Sequence, residues 1–266
     1  MLYRATEGRL ALADTSMDYV AFGRGERPML LIPGLNLRGV KGSALPLAWM
    51  YRMFARDWRV YVFDRRADVP EDCSILTLAD DIDAAMAQLG LREADVLGVS
   101  QGGMIAQALA IRHPERVRRL ALGVTAGRCN DTIRRVVGGW IDAAQRGDWR
   151  SVNRESVTLA YSRAYLRRMG FALPLLERLV KPADGPRFIR LARTTLSFDL
   201  LDRLGEIRCP ALVLGGREDM IVTGEASLEL AERLRCPVHL YDGLGHAAYD
   251  EAPDFNRRVL SFFRQE

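Results

Sequence analysis

The stretch Gly98-Val99-Ser100-Gln101-Gly102 sets one hydroxyl between two glycines, and Gly103 follows at once. The apolar run 94–99 before it reads as a strand, and the small apolar run 104–110 after it reads as a helix. A chain that turns at once from strand into helix forces the apex residue into a strained backbone and stands its side chain clear of the sheet. Gly98 and Gly102 then lie where the two backbones come closest, and a Cβ there would clash. The helix start adds free N–H groups and a positive dipole end beside the hydroxyl. The pattern suits Ser100 as a nucleophile; the plainer alternative is a glycine-rich turn with a surface serine.

A serine hydroxyl needs a base to become a good nucleophile, and the chain has three histidines. His113 stands before Pro114 at a helix end, where a structural role fits. His239 lies within the strand-like PVHLYD. His246 sits in DGLGHAAYDEAP, a glycine-flanked loop after the last strand, and is the expected base, because the chain order required here is Ser, acid, His. An acid must hold the tautomer of the imidazole and steady its cation. Asp219, in LGGREDMIV just past a strand, is the expected acid, with Glu218 beside it as a competitor. Asp250 and Glu251 follow His246 too closely to reach round its ring easily. Asp219 as an ordinary turn or N-cap carboxylate is the alternative. Charge developing on a carbonyl oxygen needs two backbone donors. Gln101 N–H, after the serine, is one; Leu35 N–H, in the Pro33-Gly34-Leu35 loop, is the other, and Gly34 allows the close approach.

These groups need a sheet to position them. RLALAD and MDYVAF read as an antiparallel hairpin, and residues 29–32 and 59–64 as apolar strands. A helix is expected over 47–56. A second covers LADDIDAAMAQLG, capped by Thr77 and stopped by Gly90, with Leu78, Ile82, Met86 and Leu89 on one face. With strands 94–99 and 119–124 this is a βαβαβαβ rhythm of near-continuously apolar strands. Such a rhythm signals an α/β fold: a mostly parallel twisted sheet covered by helices on both faces. From 129 to 205 no strand is convincing. That segment reads as helical, broken at Gly138-Gly139, Gly147, Gly170, Pro174 and KPADGP, and it holds Trp140, Trp149, Tyr161, Tyr165, Phe171, Phe188 and Phe198. It is read as an inserted helical cap, with residues 1–128 and 206–266 forming the core. The sheet pattern resumes at 210–216, then TGEASLELAERL, VHLYDG and a last helix striping Phe255, Val259, Phe262 and Phe263 on one side.

Composition narrows the classes. Of 266 residues 48% are hydrophobic, enough for a large core. The 38 bases and 34 acids are mixed throughout, and lysine occurs only at Lys41 and Lys181. No basic stripe with interleaved aromatics exists, so nucleic acid is not an expected partner. Cys73, Cys129, Cys209 and Cys236 form no C-x-x-C pair and read as small buried thiols, with no metal or disulfide. MLYRATEGRLALAD has no signal-peptide core and no apolar run approaches bilayer length, so a cytoplasmic protein without membrane association is expected.

The motifs IPGL, GVSQGG, GREDMIV and GLGHAAYDEAPDFNRRVLSFF, in this order over nearly the whole chain, resemble the α/β-hydrolase fold superfamily. The resemblance implies Ser100 as nucleophile, His246 as base and Asp219 as acid. It also implies an oxyanion hole lined by Leu35 and Gln101, and no metal or organic cofactor. Two positions depart from the family pattern. Pro33 stands where many members have His, although the donor needed lies one residue further on. DRRADVPEDC, after the strand ending in Asp64, lacks the usual glycine-rich turn. Ser rather than Asp at the elbow argues against the dehalogenase and epoxide-hydrolase branches. The expected function is hydrolysis of a carboxylic ester, thioester or lactone through an acyl-enzyme. Peptide-bond or carbon–carbon hydrolysis on the same groups is an alternative, and a non-catalytic small-molecule receptor is one of another class. The aromatics of the insertion suit a small molecule with an apolar or aromatic acyl part; a homo-oligomer is left open.

Overall fold

Eight strands form one sheet in the order β1-β2-β4-β3-β5-β6-β7-β8. The computed structural model describes residues 2–170, 182 and 184–265. β1 (Thr6–Ala11) and β2 (Ser16–Phe22) make the expected hairpin, and β2 pairs antiparallel with β4 (Trp58–Arg66). From there β3 (Arg27–Ile32), β5 (Ala94–Val99), β6 (Val117–Gly123), β7 (Ala211–Gly216) and β8 (Val238–Tyr241) run parallel. The architecture is therefore α/β with a mostly parallel sheet.

Strand alternation divides the core in two. Leu30, Ile32, Val96 and Leu122 pack on one face with α2 (Ile75–Gln88) and α3 (Gln101–Arg112). Met29, Leu31, Leu97 and Val99 pack on the other with α1 (Ala44–Met50) and the last helix, whose Phe255, Val259, Phe262 and Phe263 are all buried. Gly90, at φ +68, follows α2 as its stop signal suggested.

Three local expectations need correction. The N-cap of α2 is Ser74, not Thr77: Ser74 Oγ accepts from Thr77 N–H at 3.1 Å, and Thr77 Oγ1 accepts from Ser74 N–H at 3.4 Å. Thr77 is the third-position member of a capping box, and starting earlier lets the helix bury Ile75. α1 spans Ala44–Met50 rather than 47–56. Pro46 sits in its first turn, where a missing N–H costs no intrahelical bond. The chain then proceeds in turns to β4.

The third correction concerns the segment between β6 and β7. It holds α4 (Asp131–Gln145), α5 (Trp149–Ala160), α6 (Arg163–Met169) and α7 (Gly185–Leu196). α4 runs straight through Gly138-Gly139 instead of breaking there. A glycine pair inside a helix costs about 2 kcal/mol, but Ile133, Val136, Val137, Trp140 and Ile141 bury one face of α4 and hold it. Gly147, at φ +74, does end this helix region. Phe171 and Pro174 lie outside the described residues. Among the described residues the remaining α-helices are α8 (Gly224–Leu234), α9 (Ala248–Glu251) and α10 (Phe255–Phe263). Among the described residues no helix is long and apolar enough to cross a membrane. The four cysteines are free, and burial pushes the thiols of Cys73, Cys209 and Cys236 up to about 11.

Candidate active site

β5, β7 and β8 all end at one edge of the sheet, and the turns after them carry Ser100, Asp219 and His246. Ser100 follows β5 with φ 55 and ψ −125, a conformation that costs a non-glycine residue about 1–3 kcal/mol. Its surroundings over-determine that shape. Ser100 N–H donates to Gly123 O at 2.9 Å, and Ser100 O accepts from Thr125 Oγ1 at 2.7 Å and Gly103 N–H at 2.8 Å. A Cβ at Gly102 would stand 1.9 Å from Ile32 O, and one at Gly98 2.6 Å from Gly102 O. Glycine is thus required where helix, strand and neighbouring loop cross.

His246 Nε2 lies 2.9 Å from Ser100 Oγ, and His246 Nδ1 lies 2.8 Å from Asp219 Oδ2. A carboxylate accepts only, so Nδ1 carries the hydrogen and Nε2 accepts from the hydroxyl. Asp219 Oδ1 accepts from Ile221 N–H at 2.8 Å and Val222 N–H at 2.9 Å, which fixes the carboxylate. Asp219 and His246 are buried. Their two turns touch backbone to backbone, since a Cβ at Gly216 would come within 2.1 Å of Gly245 O.

The competing residues are elsewhere. Glu218 is exposed. Asp250 accepts from Tyr161 Oη–H at 2.9 Å, and Glu251 from Ser162. His113 pairs with Asp80 at 2.8 Å, and His239 stays in β8 with its ring edge-on to Tyr241.

The β3–α1 loop brings Gly34 against the serine: a Cβ there would lie 3.1 Å from Ser100 Cβ. The carbonyl of the Gly34-Leu35 peptide accepts from Asn36 Nδ2 at 3.3 Å, and Asn36 Oδ1 accepts in turn from Gly39 N–H. Leu35 and Gln101 both line the cavity into which Ser100 opens. That cavity holds about 450 Å³. Met104, Ile133, Val137, Trp140, Val152 and Phe188 make its apolar walls, and among the described residues no Asp or Glu lines it. Among the described residues, Arg38, exposed, and His246 are its ionisable nitrogen groups. Tyr161 and Tyr249 also face it. Burial, with the charge of Asp250, pushes the Tyr249 phenol up to about 12 and the Tyr161 phenol still higher. Both phenols therefore keep their protons.

Sequence reading missed several contributors. Asn36, Tyr249 and the side chain of Gln101 could have been suspected from their nearness to Gly34, His246 and Ser100. Arg65 carried no such signal; its place is set by the β4–β3 pairing.

An acid–imidazole–hydroxyl chain of this kind can withdraw the serine proton as the oxygen attacks a carbonyl, and return it to a leaving group. A family model described as "alpha/beta hydrolase fold" matches residues 27–253. A RutD protein of Rhizobium rhizogenes, which carries the provisional name of carbamate hydrolase, is 29% identical over 243 residues, covering 85% of this chain and 90% of its own. A 2-hydroxy-6-oxononadienedioate/2-hydroxy-6-oxononatrienedioate hydrolase of Pseudomonas putida is 26% identical, covering 98% and 95%. The crystal structure of the enol-lactonase from Burkholderia xenovorans LB400 superposes with a TM-score of 0.84 at 22% identity, covering 97% of this chain and all of that one. The chain belongs to the alpha/beta hydrolase fold family, and it is a hydrolase.

Proposed function

We propose that the protein is a serine hydrolase that cleaves a neutral carboxylic ester, thioester or lactone with an apolar or aromatic acyl part. The observation that carries this reading is the hydrogen-bonded line from Asp219 through His246 to Ser100 Oγ, at 2.8 and 2.9 Å, on the floor of a mostly apolar cavity. Ser100 attacks the carbonyl carbon while His246 Nε2 takes its proton. Asp219 steadies the imidazolium. Leu35 N–H and Gln101 N–H receive the charge on the carbonyl oxygen. The tetrahedral species collapses, His246 returns the proton to the departing oxygen or sulfur, and an acyl-serine remains. Water, activated by the same imidazole, releases the acid. Residues 129–205 act as the cap over this chemistry, on a core of 1–128 and 206–266.

The charge of the cavity supports a neutral substrate. A carboxylate drawn deep among Trp140, Val152 and Phe188 would meet no buried cationic partner among the lining residues, and an unpaired buried charge is costly. The Pseudomonas putida relative is named for a dioate, which carries two carboxylates. That name favours carbon–carbon hydrolysis as the second reading, and the RutD name makes a carbamate worth including.

A panel of p-nitrophenyl esters, thioesters, lactones, a carbamate and a 2-hydroxy-6-oxo-dioate tests the reading, together with fluorophosphonate labelling. Turnover of neutral esters or lactones with label on Ser100 is expected. Turnover of the dioate alone overturns the substrate class, and a Ser100 that refuses the probe returns the chain to the receptor reading.

A further inference from the structure

β4 ends in two arginines where the sequence has no glycine-rich turn. Arg66 is well partnered: it bonds Asp14, donates to Asp68 O at 2.8 Å and lies 3.8 Å from Asp81. Arg65 is different. It is 3% exposed. Its Nη2 donates to Pro33 O and, at 3.3 Å, to Gln101 Oε1, while Nη1 has no hydrogen-bond partner among the described residues. The nearby Asp64 carboxylate is engaged by Arg65's own N–H at 2.7 Å and by Arg187 Nη2 at 3.3 Å. Burial pushes the guanidinium down to about 10, with Asp64 opposing and Arg187 adding to the shift. A cation is thus kept inside the protein with little compensation, and its side-chain hydrogen bonds go to the loop that carries Leu35 and to Gln101 at the start of α3.

Gln101 completes the connection. It is 2% exposed. Its Nε2 donates to Leu191 O at 2.7 Å and approaches Thr195 Oγ1 at 3.0 Å and Thr194 Oγ1 at 3.3 Å, all on α7. One residue therefore presents its backbone N–H beside Ser100 and its amide to the inserted helices. Arg187, on the same helix, donates to Arg65 O at 2.8 Å and Arg66 O at 3.0 Å, so α7 grips both ends of the arrangement.

We propose that Arg65 and the Gln101 side chain are positioning residues that bring the Leu35 and Gln101 donors to working geometry only while α7 is seated, so that docking of this helix controls the rate of the chemical step; this rests on the serine-hydrolase reading. The Gln101 amide, shared by Arg65 and α7, ties the residue at the start of α3 to both. Pro33 O, held by the same guanidinium, anchors the loop of the second donor. The fixed positive charge also favours negative charge developing close by.

The test uses the full chain and four variants: Gln101→Met, Arg65→Met, Arg65→Lys and Arg190→Ala/Arg193→Ala. The last removes the exposed contacts of α7 to Glu71 and leaves the amide alone. The readouts are kcat and KM on p-nitrophenyl butyrate, the rate of fluorophosphonate labelling, and the melting temperature. Gln101→Met and Arg65→Met are expected to lower kcat and the labelling rate about 10- to 100-fold, with KM moving less than about threefold. Arg65→Lys is expected to recover part of the loss, and the α7 surface variant, which weakens the seat of the helix but keeps the amide contacts, to lose less than Gln101→Met. Folded variants with wild-type kcat and labelling, or with losses confined to KM, overturn the coupling alone. A wild type that neither labels nor turns over overturns the serine-hydrolase reading and the coupling with it. If Arg65→Met does not fold, Gln101→Met and Arg65→Lys decide.

Discussion

The carbonyl of Ala160, the last residue of α5, accepts a hydrogen bond from the N–H of Ala247, the residue after His246, at 2.8 Å. The next residues continue the seam: Tyr161 donates to Asp250, and Ser162 donates to Glu251 through both its N–H, at 2.9 Å, and its hydroxyl, at 2.6 Å. The histidine loop is therefore braced from above by the helices that also wall the cavity. Glu251→Ala is expected to cost about 1–3 kcal/mol in stability and to lower kcat/KM by up to about tenfold. Thermal melting and ester turnover, measured together, check it; an unchanged melting curve would show that the seam carries no weight.

Replacing Ser100 and Asp219, in the roles proposed for them, separates chemistry from binding. Ser100→Ala is expected to lower kcat by on the order of 10⁴ to 10⁶. Asp219→Asn leaves the hydrogen bond but allows the wrong tautomer, and a loss of about 10⁴ follows. Both should still bind a substrate analogue. Pre-steady-state acylation with p-nitrophenyl butyrate reads the two effects.

The elbow tolerates no side chain at its second glycine. With a Cβ 1.9 Å from Ile32 O, Gly102→Ala must push β3 and the start of α3 apart. The expected cost is about 3 kcal/mol or more. Urea denaturation measures it, and a variant as stable as wild type would contradict the crossing described here.

Trp140 lines the cavity beside Ile133 and Val137. It lies two turns along α4 from Ile133, about 10 Å further from the α4 start. Trp140→Ala is expected to raise the ratio of kcat/KM for long-chain over short-chain esters by about tenfold or more. An unaltered chain-length profile would place the acyl group elsewhere.

Asp81 gives the protein a pH signature independent of catalysis. Burial raises its pKa to about 6, against the pull of Arg66 and with the help of Asp14 and Asp80. A folded value above the unfolded one means the folded state holds the proton more tightly. The associated stability is complete below about pH 4 and is lost as pH rises through 6. Asp81→Asn should therefore be more stable than wild type at pH 8, by on the order of 1 kcal/mol, with the gap closing toward pH 4. Melting curves across that range test the sign.

Order and edge made part of this legible in the sequence. A hydroxyl in a strand–turn–helix bend, an acid past a later strand and a histidine past the last one must share an edge if the strands are parallel, and Ser100, Asp219 and His246 do meet there. Helix boundaries were harder. Thr77 and Ser74 both make acceptable caps, and only the burial of Ile75 chooses between them. Gly138-Gly139 reads as a break until the buried face of α4 is known. Arg65 was out of reach altogether. Nothing local distinguishes it from Arg66, and its partners Pro33 and Gln101 are brought to it by strand order.

Four inter-strand steps separate β1 from β5 in the sheet. At about 4.8 Å a step, that is roughly 20 Å. The outer edge of the hairpin is thus a handle set well across the sheet from the strand that leads into Ser100. Tethering through it to a bead or electrode should leave reagents free access, whereas attachment beside β8 would crowd the histidine turn.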